Sequence, residues 1–394
     1  MSRNSPASSK SSPPTGSWRA DGNRPETEEI MITCGFIGLG LIGGSIARAF
    51  HQNRADIRIV ACDPDENTRR LALSEGIADA VSGQPSEILS DCDFIFLCAP
   101  VSHNDENLKK ALQFCGPDCI LTDVGSVKAP ICRQIEALGL QNRFIGGHPM
   151  AGSERIGFAN SKASLLENAY YIMAPAPFVP AGKVETFRSL VLSAGAIPLL
   201  VDPQTHDYIT AAVSHLPHLI AASLVNLVRE HDGPDGLMKS IAAGGFKDIT
   251  RIASSSPVMW QQICLTNADN LSALLQDYIR SLQALEEKLR EKDADPLFSF
   301  FESARVYRDS FIDAGSGPIK KVYSIRVDIP DEAGSLAAVA TLLALNGISI
   351  KNIGIAHNRE AEEGVLAIEF YEESSISRAV RLLTDRGYTT HLNR

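Results

Sequence analysis

The stretch Ile32-Thr33-Cys34-Gly35-Phe36-Ile37-Gly38-Leu39-Gly40-Leu41-Ile42-Gly43 decides the fold of the first part of this 394-residue chain. Its first six residues form a run that suits a strand buried on both faces in a parallel sheet. The GxGxxG pattern that follows predicts a tight turn into a helix, whose free N–H groups favour a bound pyrophosphate. The sequence therefore predicts a dinucleotide-binding loop, with cofactor contacts at Gly38, Gly40, Leu41, Ile42 and Gly43.

Short apolar runs alternate with helical stretches on the C-terminal side of this loop, as far as about Phe144. The predicted strands are Ile32–Ile37, Ile57–Cys62, Phe94–Cys98, Ile120–Asp123 and Phe144–Gly146, and the predicted helices are Leu41–Asn53, Asn104–Cys115 and Lys128–Ala137. Alternating β and α units imply right-handed crossovers. We expect an α/β Rossmann-type domain with a doubly wound sheet.

Asp63 ends the second predicted strand, twenty positions after Gly43, where an acidic side chain bonds the ribose 2′-hydroxyl of a dinucleotide. Asp63-Pro64-Asp65-Glu66 is also typical of a helix start, with Asp63 as the N-cap, and one carboxylate could serve both roles. Cations come only at Arg69 and Arg70, so a 2′-phosphate has no early partner. This favours NAD over NADP.

The strand signal fades after about Ala181, and residues 204–231, 236–253 and 256–292 are predicted to be helical. The stretch Asn267–Lys292 shows the i, i+3, i+4 spacing of a helix with one wide buried face. Such a helix needs a partner. We expect an all-α second domain that forms a homodimer interface, with an internal core helix as the alternative.

The end of the chain predicts a small separate module. Residues 314–318 read Ala-Gly-Ser-Gly-Pro, a hinge by composition. After it, strands are predicted at Lys321–Asp328, Ser349–Ala356, Val365–Tyr371 and Thr389–Leu392, and helices at Gly334–Leu345 and Ser375–Arg386. That order is βαββαβ, an α+β fold. The predicted domain boundaries are 1–30 for a tail, 31–182, 183–314 and 319–394.

Composition limits the function classes. A net charge of −10 argues against nucleic-acid binding, which needs a basic face. The eight cysteines include no CxxC pair and are expected to be buried free thiols in a reducing compartment. Residues 1–30 lack an apolar signal region and are expected to be disordered, and no apolar stretch is expected to span a membrane. A cytoplasmic protein without nucleic-acid or membrane partners is the resulting hypothesis.

Two loops at the carboxyl ends of predicted strands carry the candidate chemistry, because open α/β sheets bind ligands there. Ser126 lies in the first loop, Thr122–Lys128, and taken alone it is better explained as the N-cap of the next helix. His148 lies in the second loop between two glycines and a proline. A histidine in that setting is poorly explained as a core residue, and it suits a position that faces a substrate.

Five motifs together resemble the prephenate dehydrogenase family over about residues 31–310. They are Gly38–Gly43, Asp123–Lys128, Gly147–Gly152, Ser214–His218 and Gly244–Ala253. The resemblance implies oxidative decarboxylation of prephenate to 4-hydroxyphenylpyruvate with reduction of NAD. By analogy, His148 accepts the proton of the ring 4-hydroxyl, and Ser126 hydrogen-bonds the same hydroxyl or orients His148. The loop Ala99-Pro100 and Ser126 are further cofactor contacts.

The same resemblance implies the substrate-binding set. Arg251 is expected to hold a substrate carboxylate, and His218 to accompany recognition of the keto side chain. The other residues expected at the substrate are Ser214, His215, Ser153, Lys247 and Asp248. Lys247 and Arg251 at i, i+4 are like charges on one predicted helix face, which an anion would relieve in addition to Asp248. The HxxH pair His215 and His218 has no third ligand nearby, so no metal is predicted.

The C-terminal module resembles an ACT domain, a regulatory fold that binds amino acids. The resemblance rests on residues 331–336 and 346–353, with Ala333 where the common motif has proline. It implies L-tyrosine as an effector, with regulatory contacts at Asp331, Gly334, Ser335, Leu336 and Asn352. A module that serves only oligomerisation is the alternative.

Three function classes remain open at this point. The first is a prephenate dehydrogenase, with arogenate or dual specificity as its nearest variant. The second is another NAD-linked hydroxyacid or imine dehydrogenase, against which the Ser126, His148 and Ser214–His218 set argues. The third is a non-enzymatic nucleotide sensor, which would not need His148, Ser126 and Arg251 together.

Overall fold

A computed structural model describes residues 31–153, 155–313, 323–330, 332, 334–356 and 364–392. The predicted tail 1–30, the hinge 314–318 and the regulatory candidate Asp331 lie outside these described residues. The described residues fold into a large sheet with helices, a helical part, and a small sheet with two helices.

An eight-stranded sheet with the order β3-β2-β1-β4-β5-β6-β7-β8 forms the first part. Its strands are β1 (Ile32–Ile37), β2 (Ile57–Cys62), β3 (Ala80–Ser82), β4 (Phe94–Leu97), β5 (Ile120–Asp123), β6 (Phe144–Pro149), β7 (Tyr170–Pro175) and β8 (Ile197–Leu200). Its helices are α1 (Leu41–Asn53), α2 (Glu66–Ser74), α3 (Asn104–Ala111), α4 (Ala129–Ala137) and α5 (Ala181–Ser193). The strand order switches direction between β1 and β4, which opens a crevice at their carboxyl ends.

The Rossmann-type sheet is confirmed. β1 pairs in parallel with β2 and β4, and the parallel run continues through β5 to β6. The two strands at the far edge of the sheet were not predicted. β7 runs antiparallel to β6, and β8 pairs in parallel with β7, although we expected no strand after Ala181. Pro198 interrupts the short apolar run of β8, and a proline within such a run argues against a strand.

An aromatic cluster fills the space between the sheet and the helices on one face. The Phe36 ring on β1 stacks on Phe96 of β4 at 4.8 Å between centroids, and Phe50 of α1 packs against both. Phe187 of α5 closes the cluster against Phe94 and Phe96. Apolar contact on both sheet faces fixes the strands, so the loops at their carboxyl ends stand on a rigid base.

The second part is helical over residues 203–313. Its helices are α6 (Pro203–Thr210), α7 (Leu216–His231), α8 (Leu237–Ile241), α9 (Gly244–Thr250), α10 (Pro257–Thr266), α11 (Ala268–Glu291) and α12 (Ala294–Asp313). The Asp202 carboxylate caps α6 at the N–H groups of Gln204 and Thr205. A π-helical turn, Ala211–His215, joins α6 to α7, and it stands directly before Pro217, which cannot donate to a regular helix.

The continuous helical run Pro203–His231 is long and apolar enough to cross a membrane by length and composition alone, and little of it is buried. The expectation that no apolar stretch spans a membrane stays a prediction, because a core helix can pass the same test. The run also carries His206, Asp207, His215 and His218, polar side chains that are costly in hydrocarbon. Its exposed apolar face is explained more simply by a protein partner.

The third part is a four-stranded antiparallel sheet with the order β10-β11-β9-β12 and two helices. Its elements are β9 (Tyr323–Ile329), α13 (Ser335–Leu345), β10 (Ile350–Ala356), β11 (Gly364–Phe370), α14 (Ser374–Thr384) and β12 (Thr390–Leu392). Its own apolar core includes Ile325, Val327, Leu343, Leu366 and Leu383. The predicted βαββαβ order is confirmed, and the module is ACT-like.

Candidate active site

Three glycines of the glycine-rich loop have different structural roles. Gly38 has φ +95°, and a Cβ there would lie 2.6 Å from the backbone nitrogen of Ala99. A Cβ on Gly43 would lie 2.5 Å from the carbonyl oxygen of Gly38, so α1 packs tightly against the turn. Gly40, the N-cap of α1, has nothing within 4 Å of that position. The space beside the helix N-terminus fits a pyrophosphate, as a dinucleotide requires.

Asp63 stands beside this loop. Its carboxylate accepts the N–H of Leu39 at 2.7 Å and the N–H of Asp65 at 2.9 Å. The hypothesis that Asp63 caps the next helix was wrong, because Asp65 is the N-cap of α2. Arg69 donates to the carbonyl oxygens of Asp63 and Pro64 at 2.7 and 2.9 Å. The residues fit NAD, because the Asp63 carboxylate can accept ribose hydroxyls and repels a 2′-phosphate.

The loop that carries Ser126 leaves β5 next to the strand that carries His148, since β5 and β6 are neighbours. His148 lies within β6 rather than after it. The hypothesis that Ser126 caps a helix was wrong, because α4 begins at Ala129 and its N-cap is Lys128. Ser126 is half-buried, and no hydrogen bond of its hydroxyl occurs among the residues that the structure describes.

A buried ion pair fixes the backbone on both sides of this edge. Lys128 and Asp123 are inaccessible to solvent, and the Lys128 ammonium donates to the Asp123 carboxylate. Lys128 Nζ also donates to the carbonyl oxygen of Gly147 at 2.7 Å, and Asp123 accepts the Gly147 N–H at 3.1 Å. Gly125 N–H binds the same carboxylate. The pair therefore holds the residue before His148 by both of its peptide groups.

His148 is joined to two residues from α6. Its Nδ1 lies 2.8 Å from Nε2 of His206, and Nδ1 of His206 lies 2.7 Å from Oδ1 of Asp207. The two imidazole rings meet nearly edge to face. Burial lowers the pKa of His148 well below its usual value, and the neighbouring His206, Lys128 and His215 lower it further. His148 is therefore neutral around pH 7 and can accept a proton.

The Asp207 carboxylate accepts two further hydrogen bonds. Oδ1 takes the N–H of Lys128 and Oδ2 takes the N–H of Ala129, each at 2.7 Å. Asp207 on α6 thus supplies the cap that α4 lacks in its own sequence. Asn267, between α10 and α11, donates to the Asp207 carbonyl oxygen at 2.8 Å. Asp207 therefore bonds two other segments, the start of α4 and the junction of α10 and α11, as well as its neighbour His206.

His215 and Trp260 present buried donors without partners among the described residues. The His215 Nδ1 lies 3.3 Å from the Asn267 amide nitrogen, and its Nε2 has no bond there. The Trp260 Nε1 is likewise without an acceptor. Burial lowers the pKa of His215 to about 4, so its ring is neutral. Two orphaned N–H groups in one pocket are what an oxygen-rich ligand satisfies.

His218 stacks on Trp260 with ring centroids 3.6 Å apart. Its Nδ1 lies 2.9 Å from the Ser214 carbonyl oxygen one turn earlier, which orients the ring. Burial lowers the pKa of His218, and the positive charge of Arg251 lowers it further. The structure therefore brings together His148, His215 and His218, with Arg251 close to the last.

Four predicted residues lie on the exposed surface, and one of them, Arg251, acts on the pKa of His218. Arg251, Lys247, Asp248 and Ser153 are exposed, and the Ser153 hydroxyl accepts the Arg155 N–H at 3.1 Å. Helix α9 ends at Thr250 and Arg251 opens a 3-10 turn. The expectation that Lys247 and Arg251 share one α-helical face was therefore wrong. The predicted residues Ala99 and Pro100 follow β4, beside the glycine-rich loop.

Sequence reasoning missed six residues that the structure places in or beneath the site: Asp123, Lys128, His206, Asp207, Trp260 and Asn267. Lys128 and Asp123 both lie within a quoted motif, and an aspartate at the end of a buried strand is a signal of a buried charged partner. His206 and Asp207 stand next to each other in an apolar helix, which is the only local signal for them. Nothing in the sequence shows that α6 docks on this edge.

Comparison with known proteins gives a consistent result. Residues 46–198 match the family model "Prephenate dehydrogenase, nucleotide-binding domain", and residues 202–303 match "Prephenate dehydrogenase, dimerization domain". The chain is 36% identical over 352 residues to a prephenate dehydrogenase of Bacillus subtilis, covering 89% of this chain and 95% of that protein.

Two solved structures are similar as well. The first is prephenate dehydrogenase from A. aeolicus in complex with hydroxyphenyl propionate and NAD+, with a TM-score of 0.67 and 29% identity. The match covers 71% of this chain and 98% of that one. The second is Synechocystis arogenate dehydrogenase, with a TM-score of 0.64 and 28% identity, covering 71% of this chain and all of that one.

Replacing Lys128 by methionine is expected to destabilise the fold by about 3–5 kcal/mol, because it leaves the Asp123 carboxylate buried without its counter-charge. The matched control is Lys109→Met, which removes an exposed ion pair with Asp105 and is expected to cost less than about 1 kcal/mol. Urea denaturation of both variants measures the difference. Equal losses in the two variants would contradict the structural role given to Lys128.

Proposed function

The chain belongs to the prephenate dehydrogenase family, and we propose that it catalyses the NAD-dependent oxidative decarboxylation of prephenate to 4-hydroxyphenylpyruvate, a step of L-tyrosine synthesis. The observation that carries this proposal is His148, a neutral imidazole fixed at the carboxyl edge of the sheet, the edge that also carries the cofactor loop. An imidazole there can accept the proton of a ring hydroxyl when the carbon that bears it is oxidised.

The cofactor supplies the hydride acceptor when it is bound. The chain holds it through the space at Gly40, the N-terminus of α1 and the Asp63 carboxylate. Ala99 and Pro100 line the loop after β4, and Ser126 lines the loop after β5. In this proposal the ring of the substrate lies between the cofactor loop and His148.

His148 and Ser126 act on the substrate hydroxyl in this proposal. His148 Nε2 accepts the hydroxyl proton, and the Ser126 hydroxyl, which has no bond to another described residue, donates to the same oxygen. Hydride leaves the carbon that bears the hydroxyl for the bound acceptor as His148 takes the hydroxyl proton. The ring carboxylate then leaves as carbon dioxide, the electron pair of the broken bond makes the ring aromatic, and the phenolate oxygen takes the proton back from His148 to give the phenol. The protein contributes position and electrostatics rather than a covalent intermediate.

The remaining groups recognise the two ends of the substrate. Arg251 binds a substrate carboxylate, with Lys247 as a second cation. Asp248 and Ser153 are further polar contacts of the substrate. His218, held by the Ser214 carbonyl oxygen and stacked on Trp260, faces the keto side chain. The unpartnered Nε2 of buried His215 is a further donor for substrate oxygen.

Purified protein is expected to form NADH from NAD with prephenate, and His148→Asn is expected to lower kcat by about 10²–10⁴-fold through loss of the base.

Because the pKa of His148 is lowered, kcat/KM is expected to stay flat as the pH falls past about 6.5, where an ordinary histidine would be half protonated. Absorbance of NADH measures both. NADP is expected to be the poorer cofactor.

The control is His51→Asn on the exposed face of α1, which should leave the rate unchanged. The prephenate assignment fails if the wild-type protein turns over neither prephenate nor arogenate despite binding NAD. A preference for arogenate, the substrate named for the Synechocystis relative, would replace prephenate and remove the role proposed for His218 in recognising the keto side chain.

A homodimer is the proposed assembly. The matched dimerization-domain model spans residues 202–303, and that part exposes many large apolar side chains. Val213, Ile241, Ile249, Val258 and Leu265 are each more than 60% exposed. Exposed apolar surface of this extent is costly in a monomer.

Sedimentation equilibrium is expected to give twice the chain mass of 42.5 kDa. Leu265→Glu, which puts a charge on the exposed apolar face of α10, is expected to shift the equilibrium toward monomer by at least about 1.4 kcal/mol, or tenfold. Glu291→Gln at the end of α11 is the control and should leave the mass unchanged. A wild-type protein that sediments as a monomer at micromolar concentration would contradict the dimer.

L-tyrosine is the proposed effector of the C-terminal module. Gly334 has φ +99° and precedes α13, so its backbone can approach a ligand as a side chain would not allow. Ser335 and Leu336 open α13, and Asn352 is exposed on β10. These residues lie in a module with its own core, apart from the catalytic residues in the chain.

Tyrosine is expected to inhibit NADH formation, and Asn352→Ala is expected to raise the half-inhibitory tyrosine concentration by about fivefold or more, as loss of one ligand hydrogen bond does. Asn346→Ala, at the end of α13, is the matched control and should leave inhibition unchanged. Inhibition that is purely competitive with prephenate and insensitive to Asn352→Ala would place tyrosine in the active site instead.

The proposed domain limits follow the sequence prediction with one adjustment. Residues 31–182 and 183–314 were the predicted units, but β8 at Ile197–Leu200 belongs to the large sheet. We place the boundary near residue 201, between the two matched family models. A cytoplasmic location is proposed because all eight cysteines are free thiols, as a reducing compartment allows.

A further inference from the structure

His206 and Asp207 form a chain of contacts that ends on the ring of His148, and the donor and acceptor roles along it can be assigned. Asp207 accepts backbone N–H groups on both carboxylate oxygens, from Lys128 and Ala129. A carboxylate that is bonded in this way is an acceptor only. The Nδ1 of His206, 2.7 Å from Oδ1 of Asp207, must therefore carry a hydrogen and donate it.

The second contact follows from the first. In a neutral imidazole one nitrogen donates and the other accepts, so a His206 that donates through Nδ1 accepts through Nε2. His148 Nδ1, which lies 2.8 Å from that Nε2, must then be the donor. The remaining nitrogen of His148, Nε2, is left with a lone pair.

We propose that His206 and Asp207 are positioning residues that fix the tautomer of His148, so that its Nε2 lone pair faces the substrate hydroxyl. This inference rests on the proposed function for the identity of the substrate but not for the tautomer itself. When His148 takes a proton on Nε2, its Nδ1–H becomes a stronger donor to His206. Asp207, at the other end, carries the negative charge that stabilises this cation.

The contacts with His206 and Asp207 orient the ring of His148, because its other neighbours are bonded elsewhere. The charged or titratable groups that act on the ring are His206, Lys128 and His215. Lys128 is bonded to Asp123 and to the Gly147 carbonyl oxygen, and His215 to Asn267, so neither replaces His206 as the acceptor for Nδ1–H. His148, His206 and Asp207 are all buried, with exposures of 8% or less. Water therefore does not compete for the bonds.

The kinetic test compares two substitutions at one position. His206→Leu removes the acceptor and is expected to lower kcat by about 10²-fold or more, while KM for NAD changes less than about twofold. His206→Gln keeps a side-chain oxygen that can accept the Nδ1–H of His148, and it is expected to recover at least about tenfold over His206→Leu. His51→Gln, on the exposed face of α1, is the matched control. Thermal unfolding of each variant shows that it is folded.

A pH profile separates orientation from a change of pKa. The loss in His206→Leu is expected to persist from about pH 6 to about pH 10, because raising the pH deprotonates His148 without fixing its tautomer. Full recovery of kcat at high pH would overturn the proposal, since a pKa shift alone would then explain the loss. So would a kcat within about threefold of the wild type, or equal losses for leucine and glutamine.

A spectroscopic test needs no substrate. Two-bond ¹H–¹⁵N correlation spectra of protein labelled with ¹⁵N-histidine distinguish a protonated ring nitrogen from one with a lone pair. The His148 signals, assigned with His148→Asn, are expected to show hydrogen on Nδ1 and a lone pair on Nε2. Hydrogen on Nε2 would overturn the tautomer assignment. Absence of prephenate turnover by the wild-type protein would overturn the proposed function but leave this measurement decisive for His206.

Discussion

The Asp207 carboxylate is the contact on which the site depends. It belongs to α6 in the helical part, yet its bonds cap α4 at Lys128 and Ala129 and reach His148 through His206. Without that contact, α4 would begin with unsatisfied N–H groups and His148 would have no orienting partner. The sheet provides a rigid edge, but the histidine on that edge acquires its geometry from the next domain.

The buried charges form one connected system rather than isolated pairs. Asp123 and Lys128 hold Gly147 by both peptide groups, and the backbone N–H of the same Lys128 binds Asp207. A buried ion pair adds little net stability compared with well-packed apolar residues, because both ions lose water. What this one contributes is position. It fixes where β6 presents His148, and a more apolar pair could not bind the Gly147 carbonyl oxygen and N–H together.

Local sequence signals were enough for the parts of the fold whose pattern is repeated over many residues. The strands from Ile32 to Asp123, the glycine-rich loop and the C-terminal βαββαβ order could all be predicted. β3 could not, because three half-buried residues carry no pattern, and β8 could not, because Pro198 and edge exposure mask it. The helix that we expected over residues 256–292 is two helices, separated at Asn267, whose side chain turns inward to bond Asp207. Such long-range bonds leave no local trace.

The residues of the candidate site differ in the same respect: some carry a local sequence signal and others do not. His148 could be found because a histidine between two glycines and a proline is poorly explained as a core residue, whereas His206 carries no such local signal. The run Pro203–His231 also has an exposed apolar face. One side of this run bonds to α4 and β6 and carries His215 and His218, while Val213 on the same run is exposed. If a second subunit covers that face, it holds in place the segment that orients His148, so assembly and catalytic geometry depend on the same helix.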